Sequence, residues 1–172
     1  MNKILMLIGI ILAVIIILVI LISTGFIKFY AKVGPADVIS SEKVEHCKDL
    51  EDWLKVDCVA NVAIENKDSG YCFYAPSLYK NACYEKVAVG LKDISICEKL
   101  SPRDLTKSAR NWCYVNVAIA SNNVNLCNKV EKDDENYNTK YNYCLGVIQK
   151  DQSFCQKIEV DTKKEECLSK IV

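Results

Sequence analysis

The sequence predicts an all-α chain: an N-terminal transmembrane helix followed by a disulfide-stapled array of about five helical hairpins, a short α-solenoid. Three observations predict it. One stretch is written three times, as CVANVAIENKDSGYC from Cys58, CYEKVAVGLKDISIC from Cys83 and CYVNVAIASNNVNLC from Cys113. Ten cysteines, an even number, fall between 47 and 167 without a CxxC pair. Residues 4–22 contain no charged or strongly polar group. No stretch alternates with period two over a useful length, so no sheet is expected.

The first element is the apolar run. A helix of about twenty apolar residues crosses a hydrocarbon core of about 30 Å. This run is apolar on every face, unlike an amphipathic core helix, and its apolar character continues to Ile27. Lys3 precedes it, and Lys28, Phe29, Tyr30 and Lys32 follow as an interfacial belt. A cleaved signal peptide is the competing reading, with Ser23 and Gly25 as small residues for a cleavage site. Signal h-regions span about 7–15 residues, so the length favours an uncleaved anchor. The expected organisation is a membrane anchor over 1–30, a linker with Gly34-Pro35 over 31–40, and a cysteine-repeat domain over 41–172. Membrane contact is expected through residues 4–27.

The repeats follow, with expected boundaries 41–67, 68–92, 93–122, 123–150 and 151–172. Each holds a short helix and then a longer one. Cys47, Cys72, Cys97, Cys127 and Cys155 mark the short helices, and Leu50, Ala75, Leu100, Val130 and Ile158 stand three positions later. Asp68, Asp93, Asn123 and Asp151 each lie four residues before the cysteine. Asp and Asn are strong N-caps because the side-chain oxygen accepts from first-turn amides, so these residues are expected to start the short helices. Cys58, Cys83, Cys113, Cys144 and Cys167 mark the long helices. Val62, Val87 and Val117 recur four positions after the first three of these, and the small Ala63, Ala88 and Ala118 five after, where they allow close helix approach. Pro76 and Pro102 sit where the chain should reverse.

Spacing also predicts the disulfides. From a long-helix cysteine to the next short-helix cysteine the distance is fourteen residues three times and then eleven. In the other direction it varies through 11, 11, 16, 17 and 12, as a hairpin loop tolerant of insertion would. At a rise of about 1.5 Å per residue, the two cysteines of one hairpin reach nearly the same height, whereas the fourteen-residue pairs are offset along the axis. The expected bridges are Cys47–Cys58, Cys72–Cys83, Cys97–Cys113, Cys127–Cys144 and Cys155–Cys167. The long helix after Cys144 is three residues shorter, which should change how the fifth hairpin stacks.

A dense, evenly spaced cysteine set without close pairs reads as a disulfide framework in an oxidising compartment, not as thiolate metal sites. The N-terminus is therefore expected in the cytoplasm and the C-terminal domain outside it, on a single-pass membrane protein. After residue 32 the chain carries 19 basic against 22 acidic groups, a net charge of −3, and nucleic-acid binding is not expected. His46 is the only histidine and stands beside a cysteine expected to be bridged, so no catalytic set is predicted. Phosphate-loop, HExxH and EF-hand patterns are missing, and no cofactor or metal is expected. The acidic run Glu131–Glu135 reads as a solvated loop. Tyr71, Tyr84, Trp112, Tyr114, Tyr143 and Phe154 adjoin cysteines at recurring offsets and read as packing residues. Trp53, Tyr137 and Tyr141 have no such periodic place and are the candidate partner surface.

The pattern D-x-x-x-C followed by C-Y-x-x-V-A, carried by Asp68, Cys72, Cys83, Tyr84, Val87 and Ala88 and by Asp93, Cys97, Cys113, Tyr114, Val117 and Ala118, resembles uncharacterised membrane-anchored or secreted cysteine-repeat proteins, mostly archaeal. The resemblance covers about 43–172 and departs at Leu145 and Gly146. It implies no activity. The architecture is also similar to TPR- and Sel1-like α-solenoids, without their signature residues. The expected function is a non-enzymatic binding or scaffold module with a protein partner, held outside the membrane. The alternatives are thiol–disulfide or metal chemistry on the cysteine pairs, or a secreted cell-envelope structural protein after signal cleavage.

Overall fold

The computed structural model describes residues 41–100 and 106–171, which fall within one compact unit, Ser40–Val172. The expected anchor and linker, and Pro102, lie outside the described residues. Among the described residues there is no strand, and no helix is long and apolar enough to cross a membrane.

The long helices are α1 (Asp52–Glu65), α2 (Lys80–Leu91), α3 (Thr106–Ser121), α4 (Tyr137–Gln149) and, after the five-residue α5 (Gln152–Gln156), α6 (Asp161–Ile171). Short 3-10 helices at Ser41–Cys47, Ser69–Tyr74, Ile94–Lys99 and Val124–Lys129 precede the first four, and α5 takes that place before α6. An additional 3-10 turn, Ser77–Tyr79, leads into α2 after Pro76. The short helices were expected from the caps alone; their tighter winding suits one-turn pieces tied at both ends.

Both ends are tied by the repeating residues. Gly70 N donates to Asp68 Oδ1 at 2.7 Å, Ser95 N to Asp93 Oδ1 at 2.9 Å, Asn125 N to Asn123 Oδ1 at 3.1 Å, and Ser153 N to Asp151 Oδ1 at 2.8 Å. The same cap residues close the preceding long helix. Asp68 N donates to Ala63 O, Asp93 N to Ala88 O, Asn123 N to Ala118 O and Asp151 N to Gly146 O, at 2.9 to 3.1 Å. The intervening residues Lys67, Lys92, Asn122 and Lys150 have φ of 52, 55, 51 and 55°. This is a Schellman ending, usually supplied with glycine, built here three times on lysine. One Asp or Asn therefore caps two helices, and the joint between repeats is rigid. Asp93→Ala is expected to lower stability by about 1 kcal/mol, with the loss read from the shift of a urea midpoint at constant slope.

All five bridges join the short and long helix of one hairpin: Cys47–Cys58, Cys72–Cys83, Cys97–Cys113, Cys127–Cys144 and Cys155–Cys167, with Cα–Cα distances of 5.6 to 5.8 Å. These are the pairs the spacing predicts. Successive long helices then pack in order, α1 on α2, α2 on α3, α3 on α4 and α4 on α6. Val59, Ala63, Val87, Ala88, Val117 and Ala118 are fully buried along this seam. Tyr71, Tyr114 and Tyr143 are buried as expected, while Tyr84, Trp112 and Phe154 are half-buried.

The shortened fourth helix shows why its pattern departs. By its bond to Asp151 N, Gly146 occupies the place of the repeating alanine. A Cβ there would lie 2.8 Å from Cys155 Sγ and 2.9 Å from Cys167 Sγ. The fifth bridge sits directly on the α4 backbone, and a cystine has no flexible end to move aside. Gly146→Ala should cost about 1–3 kcal/mol by overpacking, whereas a good helix former at an open position would stabilise. A thermal melt of that variant distinguishes the two signs.

The first hairpin differs from the rest. Its short helix ends on Cys47, while the next three run two residues past their cysteines. Position 43, where the others place an Asp or Asn cap, is Lys43 and lies within the helix. Leu50, the counterpart of the buried Ala75, Leu100, Val130 and Ile158, is exposed.

Candidate functional site

Trp53 stands in the first turn of α1 and is 60% exposed, with Leu50 and Leu54 also exposed around it. Its Nε1 donates to Glu51 Oε2 at 3.2 Å, which leaves the ring face open. On the second hairpin, Phe73 is 69% and Leu78 83% exposed, and Tyr79 beside them is exposed too. Lys80 Nζ lies 4.5 Å from the centroid of the Phe73 ring. The Ser77–Tyr79 turn touches α1, and each of the two sets of side chains lies at or beside the turn of its own hairpin. Large apolar residues left in water are the usual mark of an interaction surface. Periodicity could not find Phe73, Leu78 or Tyr79, because exposure at a hairpin turn depends on what the neighbouring hairpin covers.

Tyr137 and Tyr141 are placed differently from Trp53. Their rings stack at 5.3 Å and 16°, both are half-buried, and both pack against the core that unites α3, α4 and α6. Tyr141 Oη donates to Asn128 Oδ1 at 3.4 Å. Of the three candidate surface residues, Tyr137 and Tyr141 thus pack partly against the core and Trp53 is the most exposed.

The acidic loop before α4 is not simply solvated. Asp134 is buried and accepts from Lys140 Nζ through both carboxylate oxygens at 2.7 Å, from Asn111 Nδ2 at 2.7 Å and from Asn136 N at 2.8 Å. Lys140 is fully buried, donates its third bond to Ser108 Oγ at 2.9 Å, and lies 5.9 Å from the Trp112 ring centroid. Burial alone would raise the Asp134 pKa, but the bonds from Lys140, Asn111 and Asn136 outweigh it and hold the carboxyl below its ordinary value. Arg110 pairs with Glu131 at 2.8 Å on the same loop. Asp134 and Lys140 satisfy each other and are completed by Asn111, Asn136 and Ser108, which marks the node as a clasp between α3 and α4, while the buried Arg110 Nε is left without a partner among the described residues.

A second polar set ties the last hairpin down. Tyr143 Oη donates to Glu166 Oε1 at 2.6 Å, and Lys163 Nζ donates to Glu166 Oε2 at 2.6 Å while lying 4.8 Å from the Trp112 ring. Hydrogen bonds from Lys163 and Tyr143 lower the Glu166 pKa to about 2.

His46, Cys47 and Cys58 form the one cluster with metal-ligand spacing among the described residues, their donor atoms within 4.8 Å of one another. Both sulfurs are spent in a bridge, which leaves the imidazole as a single ligand. His46 is exposed, with Nε2 3.6 Å from Cys47 Sγ. The group borders a cleft of about 510 Å³. No known family model, characterised protein or solved structure matches the chain.

Proposed function

We propose that the protein is a binding or scaffold module without catalytic activity, a short α-solenoid held outside the membrane by a single N-terminal helix. The observation that carries this reading is the exposure of the large apolar side chains Trp53, Phe73 and Leu78 on the first two hairpins of a framework stapled at every hairpin. Stacked helical hairpins present extended surfaces whose shape is set by the scaffold, so large side chains held out from it dock without a large ordering cost. Aromatic and aliphatic anchors of this kind suit a protein partner with an apolar pocket. The charge-free run over residues 4–22 and the framework of bridges support an anchored, extracytoplasmic placement.

The test is affinity capture of the full chain from intact cells, with an anchor-only chain as control. A protein recovered with the full chain and reduced at least tenfold by Trp53→Ser with Leu78→Ser supports the reading. Recovery equal to the control, or indifferent to both substitutions, removes it.

A further inference from the structure

We infer that the Cys47–Cys58 bridge is a thiol–disulfide exchange site for a dithiol partner, attacked at Cys58, with His46 stabilising the departing Cys47 thiolate. This inference is independent of the apolar surface around Trp53.

Four observations converge on this one bridge. Nine of the ten cysteines are 0% exposed, and only Cys58 lies outside that buried set. Disulfide exchange requires a thiolate to reach a sulfur, so burial protects the other four bridges. Cys58 lines the cleft of about 510 Å³, together with Lys43, His46, Asn61, Glu65 and Asn66, which gives an incoming thiol room. The cleft holds one carboxylate, Glu65, against the ammonium of Lys43, whose Nζ donates to Asn66 Oδ1.

His46 is placed for the leaving group. Its Nε2 is 3.6 Å from Cys47 Sγ, within reach of charge stabilisation for a thiolate forming there. None of the other four bridges has a histidine, because His46 is the only one in the chain. The short helix carrying Cys47 also has Lys43 where its counterparts have an Asp or Asn four residues before the cysteine, and it packs on α1 and the next short helix.

The reaction balances as follows. A partner thiolate attacks Cys58 Sγ, forming a mixed disulfide; the Cys47–Cys58 bond breaks and its electron pair leaves on Cys47 Sγ beside His46. The partner's second thiolate attacks the partner sulfur of the mixed disulfide and releases Cys58 as a thiolate. Each released thiolate takes up a proton. The partner dithiol is oxidised by two electrons to a disulfide, and the bridge is reduced by two.

The experiment uses the full chain in its native membrane, exposed to dithiothreitol for timed intervals, quenched with acid, alkylated and mapped by peptide mass. Cys47 and Cys58 should become modified at least tenfold faster than the other eight cysteines. With glutathione as a one-thiol probe, the trapped adduct should sit on Cys58. His46→Gln should slow opening of this bridge several-fold and leave the other four unchanged, and His46→Lys, which places an ammonium donor beside Cys47, should recover most of the rate. Another bridge opening first, or all five opening together, overturns the site. An adduct on Cys47, or rates indifferent to both His46 variants, overturns the assigned direction of attack and the role of His46.

Discussion

Lys140→Met should lower the unfolding free energy by about 3–5 kcal/mol, the cost of leaving one member of a buried ion pair alone. The ammonium it removes is fully buried and makes three bonds, two to Asp134 and one to Ser108. What remains is a carboxylate in a site with almost no solvent, with only Asn111 and the Asn136 amide to satisfy it. Urea titration of the full chain, followed by tryptophan fluorescence, measures the loss. Lys140→Met combined with Asp134→Leu should recover most of it, since an apolar pair of similar volume carries no desolvation cost. A single variant within about 1 kcal/mol of the natural chain would show that the clasp adds little.

The same node has a defined pH dependence. The Asp134 carboxyl is held below its ordinary value in the folded state, so the unfolded chain binds the proton more readily. Its stabilisation is complete above the unfolded value of about 4 and is lost as pH falls through the folded value. The double variant should therefore lose less stability than the natural chain between about pH 4 and pH 2.

Removing the fourth bridge by Cys127→Ala with Cys144→Ala should cost about 3–5 kcal/mol. Closing a loop of this length contributes about 3 kcal/mol through the unfolded chain. Both sulfurs are also fully buried among Ala118, Val130 and Tyr143, so their loss leaves a void that the surrounding hairpins cannot close completely. Cys47→Ala with Cys58→Ala should cost less, since that bridge closes a shorter separation, 11 against 17 residues, beside a solvent cleft. Urea midpoints of the two paired variants give the order directly. A difference of only about 0.4 kcal/mol would show that loop closure alone decides the contribution, and a larger loss at the first hairpin would contradict both arguments.

The recurring spacings of the ten cysteines, with Asp68, Asp93, Asn123 and Asp151 and the alanines of the long helices, were sufficient to determine the helical class, the hairpin as the unit, the pairing of the cysteines and the capping of four short helices. Those features depend on separations of 4 to 17 residues, over which helix rise and cap geometry leave few choices. The left-handed turns at Lys67, Lys92 and Lys150 escaped such a reading because lysine is not a residue that this conformation selects. Only tertiary packing decided the rest. Asp134 is buried because Asn111, 23 residues away, and Lys140 converge on it, and the same acidic run without them would be a solvated loop. Tyr137 and Tyr141 stack against the core while Trp53 and Leu78 remain in water, although all four lie in or near a hairpin turn or in the helix that follows it. The fourth turn is covered by α3, and the first two are not covered at these side chains. Ten cysteines look alike in the repeat, and only the folded structure distinguishes Cys58, which is partly exposed, from the nine that are buried. Local spacing specifies what each hairpin is, and burial belongs to the stack.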